Sequence, residues 1–244
     1  MPHADGETAG IAGDRVAEGM VRTALGVVRA EACGMVPGVS ATDPPLVVRR
    51  RAGHVDLVLG NVVLLSSAAL ETERAFGALA PEGARRVVVG GLGFGATARA
   101  ALERVAPDGR VIVVEKVAAI EPLLRGELAD LAQGVFDDAR LQVENADIAD
   151  VIARERDLDA LLLDVDNGPE WASFRSNARL YAPAGLAAAW NALADGGIFA
   201  VWSGYPADAF LPKLRAAGFL PSVVPFKERG VVRARAYVGT KRAK

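Results

Sequence analysis

Apolar residues in this chain gather in short runs, which predict strands, and in stripes spaced by three or four residues, which predict helices. Residues 87–89 form such a run immediately before a glycine-rich turn at 90–95. An apolar stripe that begins at Ala98 and ends at Val105 predicts the next helix, and residues 107–109, Pro-Asp-Gly, would stop it. A second apolar run, 111–115, ends in a glutamate. This order of parts predicts a βαβ unit with a glycine turn.

The same alternation continues to the end of the chain. Further strands are predicted at residues 141–144, 158–164, 198–202, 220–226 and 231–238, and further helices at 148–154, 186–193 and 210–214. The continuous apolar run at 158–164 is typical of a buried parallel strand. Residues 227–230 separate the last two strands and predict an antiparallel hairpin. We therefore predict an α/β fold, namely a Rossmann-like, doubly wound, mostly parallel sheet of seven strands that ends in an antiparallel hairpin.

A smaller β-rich region precedes this sheet. Runs at 46–51, 55–59 and 62–65 are separated by turn residues, including Gly60-Asn61, and predict a small antiparallel meander. Residues 1–45 are treated as an N-terminal extension in which one helix, 14–31, is predicted. The expected division is an extension at 1–45, the meander with a linking helix at 46–80, and a cofactor-binding domain at 81–244.

Composition narrows the class of protein. With 244 residues, 51% of them hydrophobic and 24% charged, the chain can bury a full core, and its net charge of −2 offers no general attraction for nucleic acid. No apolar run reaches the roughly 18 residues of a membrane span, and the N-terminus lacks the pattern of a secretion signal, so a cytoplasmic protein is expected. A single cysteine and two histidines argue against disulfides, metal clusters and histidine-based nucleophile triads.

The glycine turn and Glu115 form the first candidate site. A carboxylate about 20 residues past such a turn, at the tip of the second strand, can accept hydrogen bonds from both ribose hydroxyls of an adenosine group. Gly91 and Gly93 with Ala96 match the dinucleotide pattern, whereas with Gly95 they match the spacing common where S-adenosylmethionine binds. The turn alone does not decide between a dinucleotide and S-adenosylmethionine. The C-terminal hairpin favours the sheet of the methyltransferases over that of the dehydrogenases.

Asp164 is the candidate catalytic residue. It follows a buried strand at the edge where open α/β sheets bind ligands, and a carboxylate there is costly unless it is paired or solvated. Alkyl transfer from a sulfonium needs such a group to orient a nucleophilic acceptor and take its proton.

These residues resemble the spermidine synthases and their relatives, over about residues 46–240. The motifs that carry the resemblance are Gly91-Leu92-Gly93-Phe94-Gly95-Ala96 with Arg99, Glu115, Asp147, the segment Asp164-Val165-Asp166-Asn167-Gly168-Pro169, and Asn177-Ala178-Arg179-Leu180-Tyr181. The segment at 164–169 is most similar to that of spermidine synthase-like proteins without an assigned activity.

The resemblance implies a cofactor site for S-adenosylmethionine or its decarboxylated form. The glycine turn would pass the nucleoside, Glu115 would hold the ribose with Lys116 beside it, and Asp147 would take the adenine amino group. Without a ligand, Glu115 would be an ordinary strand-end acid and Asp147 the N-cap of the helix at 148–154. The resemblance also implies a homodimer, because edge strands of the apolar meander need cover.

The acceptor site departs from that of aminopropyl transferases. Those enzymes carry a second acid where this chain has Asn167, and an acid inside the glycine turn where it has Phe94. The glutamine and the tyrosine-histidine pair of the family are not recognisable within residues 65–80. Asp166 and Glu170 are either compensating acceptor contacts or solvated loop acids.

Three aromatic side chains complete the candidate acceptor residues. Trp171 is the candidate for a lid over the ligand, and Tyr181 is assigned either to the acceptor site or to the core. For Trp202, core packing is favoured over contact with a ligand.

The sequence therefore predicts a transferase that binds S-adenosylmethionine, without a metal, and moves a methyl group to a small-molecule polar acceptor. Aminopropyl transfer from decarboxylated S-adenosylmethionine and nucleoside binding without catalysis stay open as alternatives. A dehydrogenase is the least favoured.

Overall fold

Two β-sheets organise the chain in the computed structural model, which describes residues 33–35, 46–60, 62–165, 168–170 and 175–243. The first sheet contains Cys33–Met35 (β1), Leu46–Arg51 (β2), His54–Leu59 (β3) and Val62–Ser66 (β4). The second contains Ala84–Gly90 (β5), Val105–Glu115 (β6), Leu141–Asn145 (β7), Leu158–Leu163 (β8), Leu193–Ser203 (β9), Leu220–Glu228 (β10) and Val231–Thr240 (β11).

Seven α-helices connect and cover these strands. They are Leu70–Gly77 (α1), Ala96–Leu102 (α2), Ile120–Arg125 (α3), Ala129–Ala132 (α4), Ile148–Arg154 (α5), Pro183–Ala192 (α6) and Phe210–Ala216 (α7) within the described ranges. Short 3₁₀ turns lie at Ser67–Ala69, Val135–Asp137 and Arg175–Tyr181. Among the described residues, every helix is too short or too polar to cross a bilayer.

The second sheet has the strand order β10-β11-β9-β8-β5-β6-β7. Strands β9, β8, β5, β6 and β7 are parallel, and β11 joins β9 and β10 in antiparallel pairs. The predicted Rossmann-like, doubly wound sheet with its antiparallel C-terminal hairpin is confirmed. The order reverses between β5 and β8, so a crevice opens there at the carboxyl ends of the strands.

The central strands are apolar on both faces because each face is covered. Val87 and Val89 pack with the meander, α1, α2 and α3, whereas Val88 between them packs with α5, α6 and α7. All three side chains are fully buried. The two-sided cover explains why β5 and β8 appear in the sequence as continuous apolar runs.

Two predicted helix boundaries are wrong for the same reason. Val105 and Leu193 were assigned to the ends of helical stripes, but each begins a strand, β6 and β9. In β6 the pairing with β5 jumps from Val105 to Arg110, so the Pro-Asp-Gly at 107–109 forms a bulge inside the strand. Residues 195–197 form the same irregularity in β9. Turn residues in these strands mark bulges and not the ends of helices.

The meander contains one strand more than predicted. β2, β3 and β4 form the expected antiparallel pairs, and β1 adds to β2 with Cys33 opposite Arg49. The extension at 1–45 was not expected to supply a strand, because three residues carry no readable alternation. The helix predicted at 14–31 lies outside the described residues, and so does Asn61 of the hairpin signal.

Candidate active site

A cavity of about 190 Å³ lies between the four-stranded sheet and the carboxyl ends of β5, β6, β7 and β8. Strand β4 and helix α1 supply one wall, and the strand ends supply the other. The fold places ligands at this edge because loops there connect strands to helices on opposite faces.

The side chains at the cavity follow the order of the strands. Asp147 follows β7, Glu115 ends β6, Gly91 follows β5, Asp164 follows β8, and Trp202 lies near the end of β9. Neighbouring strands are about 4.8 Å apart, so the row from β7 to β9 spans about 19 Å. That length suits an elongated ligand with chemically different ends.

The three glycines of the turn have different surroundings. Gly91 has φ +92°, and a Cβ there would lie 2.3 Å from the carbonyl oxygen of Asp164, so this glycine allows the turn to pack on the end of β8. Gly93, with φ +53°, lines the cavity. Gly95 precedes α2 with φ +86° and packs on Val135, away from the cavity wall. Gly91 and Gly93 therefore line the cavity, and Gly91 and Gly95 allow the turn to pack closely on its neighbours.

Glu115 is buried and ties the turn to the tip of β6. Its Oε2 accepts a hydrogen bond from the Leu92 N–H (3.0 Å), and its Oε1 accepts one from the Val117 N–H (2.7 Å). Burial raises the pKa of this carboxyl, against the backbone N–H groups that lower it. A carboxylate offers about four acceptor positions, so Glu115 can take ribose hydroxyls beside its backbone donors. The residues present fit an adenosine group here.

Asp147 is the N-cap of α5 and also lines the cavity. Its Oδ1 accepts from the Ala149 N–H (3.0 Å) as the N-cap of α5, while its Oδ2 is paired with Lys116 (3.1 Å) and Arg179 (2.6 Å). Burial acts to raise the pKa of Asp147, but these donors outweigh it and the pKa lies below its usual range. Arg179 was not predicted as a site residue. An adenine amino group would have to share this carboxylate with two cations.

Asp164 lines the cavity beside the glycine turn. Its Oδ2 accepts a hydrogen bond from the Thr97 hydroxyl (2.7 Å), and its backbone N–H donates to Gly90 (2.8 Å). Burial raises the pKa of Asp164 to about 6, although the Thr97 bond lowers it. A carboxylate in this range is ionised at neutral pH and is basic enough to take a proton from an acceptor.

Glu73 is a cavity residue that the sequence interpretation missed. It belongs to α1, is only 9% exposed, and its Oε2 lies 3.7 Å from the position a Cβ would take at Gly93. Burial and the charge of Asp164 raise its pKa well above the usual range. A signal was present: Glu73 shares a helix face with Phe76 and Gly77, which are both buried, and an acid on a buried face needs a reason.

Two further aromatic residues, Phe94 and Trp202, lie near the strand ends but in different surroundings. Phe94 is 1% exposed and belongs to the apolar core. Its ring therefore points away from the cavity and does not occupy the place of the acid in the family's turn. Trp202 packs against the core but also lines the cavity. Its indole N–H is buried and has no hydrogen-bond partner among the described residues. Trp202 therefore has the core contacts that the sequence favoured and lies at the cavity wall as well.

The remaining candidates lie apart from the cavity or outside the described residues. Tyr181 is 3% exposed and packs edge-to-face on Phe210, in the core role that was its alternative. Glu170 is exposed to solvent. The predicted contacts Asp166, Asn167 and Trp171 are not among the described residues. Asn177, from the motif at 177–181, lines the cavity.

Comparison of the chain with protein-family models and with curated proteins finds no match. Solved structures, in contrast, share its fold. A spermidine synthase in complex with the transition-state analogue AdoDATO matches with a TM-score of 0.64 and 18% identity, over 88% of this chain and 73% of that chain. The spermidine synthase of Thermotoga maritima gives 0.65 and 17%, over 88% and 74%.

A SAM-dependent O-methyltransferase of Thermotoga maritima matches with a TM-score of 0.51 and 24% identity, over 71% of this chain and 66% of that chain. At these identities the likeness is one of fold. The chain has a spermidine synthase-like, class I methyltransferase fold, as the sequence resemblance predicted.

Proposed function

We propose that this protein is a transferase that binds S-adenosylmethionine and moves its methyl group to a small polar acceptor. The row Asp147, Glu115, Gly93 and Asp164 along one cavity carries this proposal. Acids suited to adenine and ribose lie at one end, and a carboxylate with a pKa near neutrality lies at the other. The similar solved structures, which are transferases by name, support the same class.

Each residue of the row has a distinct task in this proposal. Glu115 holds the ribose hydroxyls, and Asp147, with Lys116 at its side, receives the adenine amino group. Bound S-adenosylmethionine supplies an electrophilic carbon on a positively charged sulfur. Asp164 orients the acceptor toward that carbon and takes the proton that the acceptor loses.

Aminopropyl transfer is the second candidate, and Glu73 favours it. The family's turn acid is replaced by Phe94, which is buried in the core, but Glu73 brings a carboxylate to the same turn from α1. A carboxylate beside Gly93 can neutralise the amino group of a decarboxylated cofactor. Glu73 thus supplies a carboxylate near the glycine turn, where the sequence comparison with aminopropyl transferases suggested that an acid is missing.

Calorimetric titration of the purified protein with S-adenosylmethionine, its decarboxylated form and NAD tests the proposal. We expect the intact methionine form to bind most tightly. Tighter binding of the decarboxylated form would establish the aminopropyl alternative instead. Micromolar binding of NAD would support a dehydrogenase, and binding of none of the three would contradict a nucleoside site.

Catalysis needs a separate assay, since binding alone also fits a nucleoside-binding protein without turnover. Wild type and Asp164→Asn are compared with a panel of small amines and alcohols as methyl acceptors. Transfer by the wild type that the variant lacks supports the enzyme, whereas equal nucleoside binding with no transfer by the wild type supports the non-catalytic alternative.

A further inference from the structure

Glu73 and Asp164 place two carboxyl groups in one cavity, and Lys116, the cation among its described lining residues, is paired with Asp147 instead. Both line the cavity, and the charge on Asp164 acts on Glu73. Within the described ranges, no lysine, arginine or histidine forms an ion pair with either acid. Glu73 is buried and Asp164 is half-buried, and two carboxylates in such a position cannot both ionise cheaply, so the pair retains a proton.

None of the described cations on the surrounding elements forms an ion pair with Glu73 or Asp164. Helix α1 packs against α2, β10 and β11. Arg74 of α1 and Arg99 of α2 both donate hydrogen bonds to Gln133. On the C-terminal hairpin, Arg233 pairs with Glu228, Lys227 is exposed, and the charge of Arg235 lowers the pKa of Tyr237. At the cavity, Lys116 pairs with Asp147. Among the residues that the structure describes, none of these cations balances the acid pair.

Thr97 decides which acid is ionised first. Its hydroxyl oxygen lies 2.7 Å from Asp164 Oδ2 and 3.2 Å from the backbone oxygen of Glu73. A hydroxyl has one proton to donate, and donation to an ionised carboxylate is the stronger bond. Thr97 thus favours the charge on Asp164, and the retained proton resides on Glu73.

We propose that Glu73 and Asp164 form an acid pair that holds one proton while the cavity contains no cation, releases it when a sulfonium cofactor binds, and regains one during transfer. Glu73 approaches Gly93, one of the glycines that line the cavity, and Asp164 lies at the next strand end. A positive sulfur between adenosine and acceptor would therefore face both acids. The inference rests on the proposed function, because it requires a sulfonium ligand.

The charges balance over one reaction. Binding places one positive charge beside the pair and expels one proton to solvent, so both acids become ionised. In transfer, a bond forms between the acceptor heteroatom and the carbon, and the carbon–sulfur bond breaks with its electron pair kept by sulfur. The sulfonium becomes a neutral thioether, and the proton lost by the acceptor returns to the pair.

Proton counting by calorimetry tests the pair directly. S-adenosylmethionine and S-adenosylhomocysteine share their amino and carboxyl groups and differ in one methyl group and the charge on sulfur. Each is titrated at pH 7 in phosphate and in Tris, whose ionisation enthalpies differ. We expect S-adenosylmethionine to release about one proton more than S-adenosylhomocysteine. Equal proton counts for two ligands that both bind would overturn the acid pair and leave the proposed function standing.

Two variants assign the proton to Glu73. In Glu73→Gln we expect S-adenosylhomocysteine to bind as before and the difference of one proton to disappear. Glu71→Gln, an exposed acid on the same helix, should keep the wild-type difference. If Glu73→Gln kept it as well, the role of Glu73 would be wrong. The wild-type comparison needs neither variant to fold, and failure of both ligands to bind the wild type would overturn the proposed function and the inference together.

Discussion

Asp164 joins two properties in one side chain: it lies at the end of a buried strand, and it takes part in the wall of a cavity. Burial that raises the pKa of this carboxyl to about 6 makes it a better proton acceptor than a solvent-exposed aspartate. Because burial raises its pKa to about 6, Asp164 changes its ionisation within the pH range in which activity is measured.

The proposed transferase should therefore lose activity below about pH 6. Because the base must be ionised, kcat/KM should rise through the pKa of Asp164 and level off above it. Asp164→Asn should lower turnover by about 10²- to 10⁴-fold at pH 7. Asp130→Asn, an exposed acid of α4, should leave both the rate and the profile unchanged. A wild-type profile that is flat from pH 5 to 7 would contradict a role for Asp164 as base.

Phe94 allows the core assignment to be tested at a single position. An aspartate there would restore the acid of the family's turn in sequence, but it would put a charge where the structure has a buried ring. We expect Phe94→Asp to reduce the free energy of unfolding by at least about 3 kcal/mol, and Phe94→Leu by less than about 1.5 kcal/mol. Urea denaturation of the wild type and both variants measures this. A Phe94→Asp variant as stable as the wild type would show that the position faces solvent or ligand.

At the scale of elements, the turn between β5 and α2 is held by backbone contact. Gly91→Ala would place a Cβ 2.3 Å from the Asp164 carbonyl oxygen and would also strain a φ of +92°. Gly53→Ala strains a similar φ of +87° in a place where nothing lies within 4 Å.

This pair of glycines separates strain from close packing. We expect Gly53→Ala to cost about 1 kcal/mol and Gly91→Ala at least about 3 kcal/mol, with loss of nucleoside binding as the turn moves off β8. Thermal unfolding and calorimetry measure the two effects. Equal losses of stability would mean that the turn relaxes without moving Asp164.

The apolar periodicity of the sequence predicted an element well where the element has no bulge. The runs of β5, β7 and β8 and the span of α5 follow directly from apolar spacing. Val105 and Leu193 were misassigned because a position at i+7 of a helical stripe and the first residue of a bulged strand can both be apolar. Only the pairing with β5 and β8 distinguishes them, and that pairing is non-local.

The site residues likewise divide into those that the sequence could predict and those that depend on non-local packing. Glu115, Asp147 and Asp164 follow strands, so topology alone brings them to one edge. Trp202 lies near the end of β9 and reaches the same edge through the strand order, whereas Glu73 reaches the cavity through the packing of α1 on that edge, which no local pattern reports. The pairing of Asp147 with Arg179 likewise depends on where the turn at Arg175–Tyr181 folds back.

At the scale of the whole molecule, each sheet leaves apolar residues exposed at an edge. Val63 on β4 is 43% exposed, and Leu220 and Val231 on the C-terminal hairpin are 45% and 54% exposed. We propose that a second copy of the chain covers one of these edges, since unpaired strand edges invite pairing. Sedimentation velocity over a wide concentration range should show a dimer. A monomer at every concentration would contradict this proposal.

The bulges of β6 and β9 lie at the edge of the sheet that is opposite the cavity. Both sit at the amino ends of parallel strands, opposite the cavity, where Gly196 has open space around it and the Asp108 side chain is 62% exposed. Bulge loops in such positions tolerate added residues. The β9 bulge is hydrogen-bonded to Lys241 through Gly196 and Gly197, so a fluorescent or affinity label inserted beside Asp108 in the β6 bulge would report on the protein while leaving the ligand edge untouched.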